Sequence, residues 1–270
     1  MDQWRLIVGD ACDGPTNMAI DEAVLEAVGR GDAPPTLRLY SWNPACLSLG
    51  YAQPAADADL ERIGARGWQI VRRMTGGRAI LHTDELTYSV ALPMGHPLVE
   101  GSILDSYRRL STALLTALQY IGLDVHADKR ADRGAKSVGP VCFEVPSDYE
   151  ITVDGKKLIG SAQVRKNNAA LQHGSLPLVG DVTRICDALI FVDEAARQNA
   201  RRRVTQRAVT LSDALGQEIT WEQAALVVRD AFASTFELKL KESLLSPAES
   251  DRAEELRTSR YAHDYWMLKV

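Results

Sequence analysis

Apolar residues recur at helical spacing in several stretches of this chain. Ile20, Ala23, Val24, Ala27 and Val28 form an i, i+3, i+4 stripe, with Asp21 and Glu22 near its start. Ile103, Tyr107, Leu110, Leu114, Leu118 and Ile121 form a second stripe, opened by Ser102-x-x-Asp105 and stopped by Gly122. Trp221, Ala224, Ala225, Val228 and Phe232 form a third behind Thr220-x-x-Gln223. Ser246-Pro247-Ala248-Glu249 opens a fourth helix, with proline at the first position and an acid placed to cap.

Between these lie short apolar runs bounded by Gly, Pro or Asp, which predict strands at Leu37–Tyr40, Leu47–Tyr51, Trp68–Arg72, Ala79–His82 and Leu86–Leu92. Tyr149, Ile151 and Val153 alternate with Glu150, Thr152 and Asp154, and Asp154-Gly155 then predicts a two-residue hairpin. That turn sets Val153 opposite Lys156, Thr152 opposite Lys157 and Ile151 opposite Leu158. Leu158 thereby joins Tyr149, Ile151 and Val153 on one face, and Lys157 joins Glu150 and Thr152 on the other. Helices and hairpins are interspersed without regular alternation. This favours an α+β fold, a mixed β-sheet core flanked by helices, over a doubly wound parallel sheet.

Composition adds exclusions. Of 270 residues, 46% are apolar and 25% charged, as in an ordinary globular chain, so disorder and a disulfide scaffold are not expected. No internal repeat or low-complexity linker divides it, and one domain over residues 1–270 is expected. The net charge of −5 leaves nucleic acid a partner only through a local basic patch, and none is expected. No apolar run reaches the ~18–20 residues that span a bilayer. Met1–Arg5 does not read as a secretory signal. The four cysteines lack metal-ligand spacing. A cytoplasmic protein with no metal and no membrane contact is the expectation. Phosphate-loop, dinucleotide, zinc-protease and serine-elbow motifs are absent from the sequence.

Three segments could carry chemistry. Arg72-Arg73-Met74-Thr75-Gly76-Gly77-Arg78-Ala79-Ile80-Leu81-His82 runs from strand to strand through a glycine pair, where backbone can approach a ligand closely; a tight connection with solvated arginines is the alternative. Cys142 sits between Pro140 and Pro146, either as a nucleophile that needs a cation to become a thiolate or as a small buried apolar residue. Lys157 is either that cation, facing a cleft, or a surface lysine; Gly160-Ser161-Ala162-Gln163 follows, with small side chains that leave room for a ligand or a close-packed neighbour. His173 ends another strand-like run, while His96, His126 and His263 read as surface residues. Arg201-Arg202-Arg203, with Arg207, reads as a solvated helix end or as a dock for an acidic protein.

Together these segments resemble the lipoate–protein ligase and octanoyltransferase family, whose fold is shared with biotin ligases. The resemblance runs from Trp4-Arg5-Leu6-Ile7 and Asn17-Met18-Ala19-Ile20-Asp21-Glu22 through Leu37–Trp42, Leu47–Tyr51, the Arg72–His82 segment and Glu85–Ser89. Lys157–Gln163 and Leu171–Ser175 complete it. Val141-Cys142-Phe143-Glu144-Val145-Pro146-Ser147 is similar to the context of a cysteine in one octanoyltransferase branch. The resemblance implies that Cys142 takes octanoyl from acyl carrier protein and passes it to a lysine of a lipoyl domain, such as the glycine-cleavage H protein. It also implies that Lys157 sits beside the reacting centre and that Arg73, Gly76, Gly77 and His82 surround the acyl chain and thioester. No cofactor is implied, nor a C-terminal accessory domain, and a monomer is expected. The alternatives are an ATP-dependent lipoate ligase with an inert Cys142, an amidotransferase moving octanoyl between lipoyl domains, and a catalytically dead acyl-binding protein. Retention of both Cys142 and Lys157 argues against the last.

Overall fold

The computed structural model describes residues 2–128 and 150–270. In chain order the elements are β1 (Gln3–Cys12), α1 (Gly14–Arg30), β2 (Thr36–Trp42), β3 (Cys46–Leu49), α2 (Leu60–Ala65), β4 (Gln69–Arg72), β5 (Ile80–His82) and β6 (Glu85–Pro93). There follow α3 (Ile103–Tyr120), β7 (His126–Asp128), β8 (Glu150–Val153), β9 (Lys156–Lys166) and β10 (Ala169–Pro177). The chain closes with α4 (Glu194–Arg207), α5 (Leu211–Leu215), α6 (Trp221–Thr235), β11 (Lys239–Glu242), α7 (Pro247–Leu256) and α8 (Asp264–Met267).

The main sheet has the order β11-β1-β2-β6-β10-β9-β8-β7. β1 runs parallel to β2 and β11, and the strands from β2 onward pair antiparallel, so the sheet is mixed as expected. One face packs on α3 and α6, where Leu110, Leu114, Leu118, Val228 and Phe232 meet Trp4, Leu39, Tyr88 and Val90. Each such side chain removed from water contributes roughly 1.5–3 kcal/mol. The other face carries α1, whose Met18, Leu25 and Val28 pack with Tyr40, Ala91 and Leu171. A second sheet, β4-β3-β5, lies on this side too.

The predicted starts Ser102, Thr220 and Ser246 each form a reciprocal capping box, with Asp105, Gln223 and Glu249. The first helix begins earlier than its apolar stripe, because Asp13 caps it by accepting from Thr16 N at 2.7 Å. The strand expected over Leu47–Tyr51 stops at Leu49, since Tyr51 N donates instead to Thr75 O at 2.8 Å. α4 carries no apolar stripe to announce it: Ala200, Val204 and the stem of Arg197 supply its buried side.

Four expectations need correction. The hairpin keeps Val153 opposite Lys156 and Thr152 opposite Lys157, but Ile151 pairs with Ile159, and Leu158 is an extra residue in a bulge. Leu158 and Ile159 are both buried in the α3–α6 core, and the bulge lets two successive apolar side chains enter it. His96 is half-buried and packs edge-on against Trp4, at 5.4 Å between ring centroids. Arg202, Arg203 and Arg207 are exposed toward the end of α4, as a solvated helix end requires, but Arg201 departs from it: it is partly buried and ion-paired with Asp187. His173 does not end its strand; it lies inside β10. Cys142, Tyr149 and the side chain of His126 lie outside the described residues.

Candidate active site

A narrow cavity opens between the main sheet, as floor, and the β3–β5 sheet, as roof. Its floor contains one row of residues across four adjacent strands. Tyr40 on β2 pairs with Thr87 on β6, Thr87 with Ser175 on β10, and Ser175 with Gly160 on β9. All four line the cavity. Ser48, Arg73, Gly77, Ile80 and His82 form the roof, and Met18 of α1 and Trp42 also line the cavity.

Lys157 is buried, with 4% of its surface exposed. A methyl carbon placed on Gly160 would lie 3.2 Å from Lys157 Cε and 3.6 Å from Nζ. The amine is therefore beside the β9 end of the row. The bulge makes this possible. Lys157 and Gly160 are three residues apart, which strict alternation puts on opposite faces; the extra Leu158 turns both to the cavity side. The surface-lysine reading is thereby excluded.

The roof is braced by buried guanidinium groups. Arg73 donates to Ser48 O at 2.9 Å, to Gly76 O at 2.8 Å and to Arg78 O at 2.8 Å, which fixes the glycine turn. Arg72 donates to Gly50 O, Gln53 O and Met267 O, tying the roof to the C-terminal segment. Both arginines are buried, so the solvated-arginine alternative fails for them. Gly77 has φ +95°, which a side chain disfavours, and lines the cavity. Gly76 is exposed, and a Cβ there would meet open space.

Two hydroxyl–imidazole–carboxylate chains tie roof to floor. In the first, Ser48 Oγ lies 2.7 Å from His82 Nε2, and His82 Nδ1 lies 2.7 Å from Glu85 Oε1. Ser175 and Thr87, both in the floor, also donate to Glu85 Oε1. His82 stacks on Trp42 at 3.9 Å. In the second, Thr75 Oγ1 lies 2.7 Å from His173 Nε2, and His173 Nδ1 lies 3.2 Å from Asp21 Oδ2. Burial pushes the His173 pKa down despite the neighbouring carboxylate. Burial also pushes the Asp21 carboxyl up, but the His173 hydrogen bond and the Arg38 guanidinium outweigh it and hold Asp21 below the usual range. A neutral His173 then donates from Nδ1 to Asp21 and accepts the Thr75 hydroxyl at Nε2.

Of the predicted site residues, Lys157, Arg73, Gly77 and His82 gather at this cavity. Met18, Asp21, Tyr40, Trp42 and Thr75 were not picked out as site residues. One signal was available for Asp21: a carboxylate at i+3 from Met18 and i−4 from Leu25 stands in an otherwise apolar stripe, where burial demands a partner. Of the other cysteines, Cys46 is fully buried and burial pushes its thiol up; Cys186 is buried, and burial raises Cys12 as well. None of the three lines the cavity. A wider, open groove beside Trp42 presents Asp10, Asp84, Glu218 and Glu222, without Lys157, Gly77 or His173.

The profile of the lipoyl protein ligase A/B catalytic domain matches residues 13–233. The octanoyltransferase LipM of Brevibacillus brevis is 40% identical over 275 residues, covering 100% of both chains. That of Moorella thermoacetica is 40% identical over 268 residues, covering 98% of each. Among solved structures, a bi-partite lipoate protein ligase from Thermoplasma acidophilum superposes with a TM-score of 0.84 at 22% identity, covering 100% of this chain and 98% of that one. A lipoate–protein ligase A bound with ATP superposes with a TM-score of 0.81 at 22% identity, covering 99% of each. These two likenesses establish the lipoate-ligase fold.

Proposed function

Because the chain belongs to the lipoyl protein ligase A/B catalytic-domain family, we propose that it is an octanoyltransferase of lipoate biosynthesis. It moves octanoyl from acyl carrier protein to a lysine of a lipoyl domain, with the glycine-cleavage H protein as the expected acceptor, through a thioester on Cys142. The observation that carries this reading is the buried Lys157 amine beside Gly160, a residue that lines the cavity between the two sheets.

The reaction has two steps. An ammonium at Lys157 favours the Cys142 thiolate. The thiolate attacks the carbonyl carbon of the octanoyl thioester, and the carrier leaves as its thiol, taking its proton from the Lys157 ammonium, which becomes a neutral amine. One thioester replaces another, so this step is nearly balanced. The acceptor amine then attacks the enzyme thioester, an amide forms, and Cys142 is released as its thiolate. The amine's proton passes to a base, for which neutral Lys157 is the assigned group. Arg73 and Gly77 hold the chain's roof, and His82 fixes Ser48 above it.

The test is incubation with octanoyl carrier protein and no acceptor, followed by mass measurement. A hydroxylamine-labile octanoyl adduct should appear and map to Cys142. Cys142→Ala should lose adduct and transfer; Cys12, Cys46 and Cys186 variants should keep both. Octanoyl-H protein, and free octanoate with ATP, serve as competing donors. Transfer by Cys142→Ala from octanoate and ATP would replace this mechanism with that of an ATP-dependent ligase.

A further inference from the structure

We propose that the exposed face of α4 is the docking surface for the donor carrier protein, through acidic groups on that carrier; this rests on the acyl-transfer reading of the cavity. The chain carries a net charge of −5, yet residues 195–212 hold five arginines and no acid. That basic stretch stands beside the reacting end. Ala200 and Val204 of α4, with Ala208 just beyond it, pack in one apolar cluster with Leu47 and Leu49 of β3, in the roof sheet. Ala208 then bridges Lys157 in parallel, and Val209 N donates to Lys157 O at 3.1 Å. The helix therefore joins the roof to the backbone of the lysine whose amine lies beside the cavity, and Arg207 is the residue next to that junction.

The five arginines divide into two sets. Arg197 and Arg201 serve the fold, ion-paired with Glu194 and Asp187. Arg202, Arg203 and Arg207 are exposed. Arg203 and Arg207 are four residues apart and so are neighbours on the helix surface. Arg202 donates to Asn199, a neutral amide that leaves its charge uncancelled. A cation in the last turn suits the helix's own dipole, but that effect fades within one turn, so it accounts for Arg207 and not for Arg202 or Arg203. Exposed guanidinium groups of one sign steer an acidic protein toward them and bond its carboxylates. The open groove beside Trp42 has the opposite sign, with Asp10, Glu218 and Glu222, and turns such a protein away. Of the two proteins the reaction uses, the donor suits α4 better. Its reacting group is a neutral thioester, whereas the acceptor leads with a lysine ammonium that the arginines repel.

The experiment compares wild type with a variant carrying Arg202→Glu, Arg203→Glu and Arg207→Glu. Each is acylated in single turnover by octanoyl carrier protein and by octanoyl-N-acetylcysteamine, an uncharged thioester without a protein. The second-order rate constant with the carrier should fall about tenfold or more in the variant, the scale of electrostatic steering, while the small thioester reacts as with wild type. The wild-type constant with the carrier should also decline as salt rises, and the variant's should not. If the charge-reversed protein does not melt like wild type, the three Arg→Gln substitutions carry the test, with a smaller loss in the same direction. An equal fall with both thioesters, or no fall with the carrier, overturns the proposal. So does normal acylation followed by slow transfer to the acceptor, which would assign the face to the acceptor instead. Failure of either thioester to acylate wild type would remove the transfer reading. Titration of the carrier onto wild type and variant then decides docking by itself: weaker binding to the variant supports it, and equal binding overturns it.

Discussion

Gly174 in the floor and Gly50 beside the roof each let a neighbour's atoms come too close for any side chain, yet their surroundings are opposite. A Cβ on Gly174 would meet Ser161 Oγ, Gly160 O at 2.6 Å and Tyr88 Cε1 at 2.7 Å. Gly174 is paired on both sides, with β6 and β9, and Tyr88 belongs to the α3–α6 core. A Cβ on Gly50 would meet Gly77 O, with Gly77 C at 2.9 Å. Gly77 is exposed and held by its turn's bonds to Arg73. The floor is fixed by a ladder and an apolar core, the roof by guanidinium groups donating to backbone carbonyls. Strain in the floor has nowhere to go, whereas strain in the roof can be relieved by moving the turn.

The largest effect should come from Gly174→Ala. Overpacking a doubly paired strand should cost about 3 kcal/mol or more and abolish soluble, cooperatively melting protein. A wild-type Tm in this variant would dissolve the distinction between floor and roof. Gly50→Ala should cost about 1–2 kcal/mol, because the Gly76–Gly77 turn can shift. Octanoyl transfer should nonetheless fall at least tenfold, the scale expected when a positioned wall moves by an ångström. Thermal melting beside a transfer assay separates the two costs; equal losses in both variants would count against the mobile roof.

Arg73→Met tests the brace directly. It removes charge-assisted bonds to three carbonyls, and a loss of about 2–3 kcal/mol is expected. Activity should fall beyond what the lost stability explains. Arg72→Met should instead loosen the C-terminal segment, which its guanidinium holds at Trp266 O and Met267 O. Limited proteolysis should then cut near α8 while Arg73→Met stays resistant there. Cleavage at the same place in both variants would show that the arginines share one role.

The smallest effect concerns pH. Burial holds the folded His173 pKa below its ordinary value near 6.5, so the unfolded chain takes up a proton that the folded chain refuses. Stability from this residue is complete above about pH 6.5 and declines as pH falls below it. Asp21, held low by His173 and Arg38 against burial, adds a loss in the same direction below about pH 4. His173→Gln keeps a donor toward Asp21 and an acceptor for Thr75, and it should flatten the Tm profile between pH 7 and 5. A profile as steep as wild type would place the acid sensitivity elsewhere.

Local signals in the sequence sufficed for much of the architecture. Capping pairs at Ser102, Thr220 and Ser246 act over one helical turn, and Asp154-Gly155 acts over two strands' ends, so short-range chemistry alone determined them. Lys157 opposite Thr152 followed from that turn. The identity of the glycine turn and of Lys157 as candidates was likewise legible. Three things were decided only in three dimensions. The bulge at Leu158 answers to the depth of the α3–α6 core, and it alone brings Lys157 and Gly160 to one face. The burial of Arg72 and Arg73 depends on carbonyls of Ser48, Gly50 and Met267, which no local pattern brings near. The floor row joins residues 40, 87, 175 and 160, and strand order and register in a mixed sheet follow from side-chain packing across the whole domain rather than from any segment's own preference.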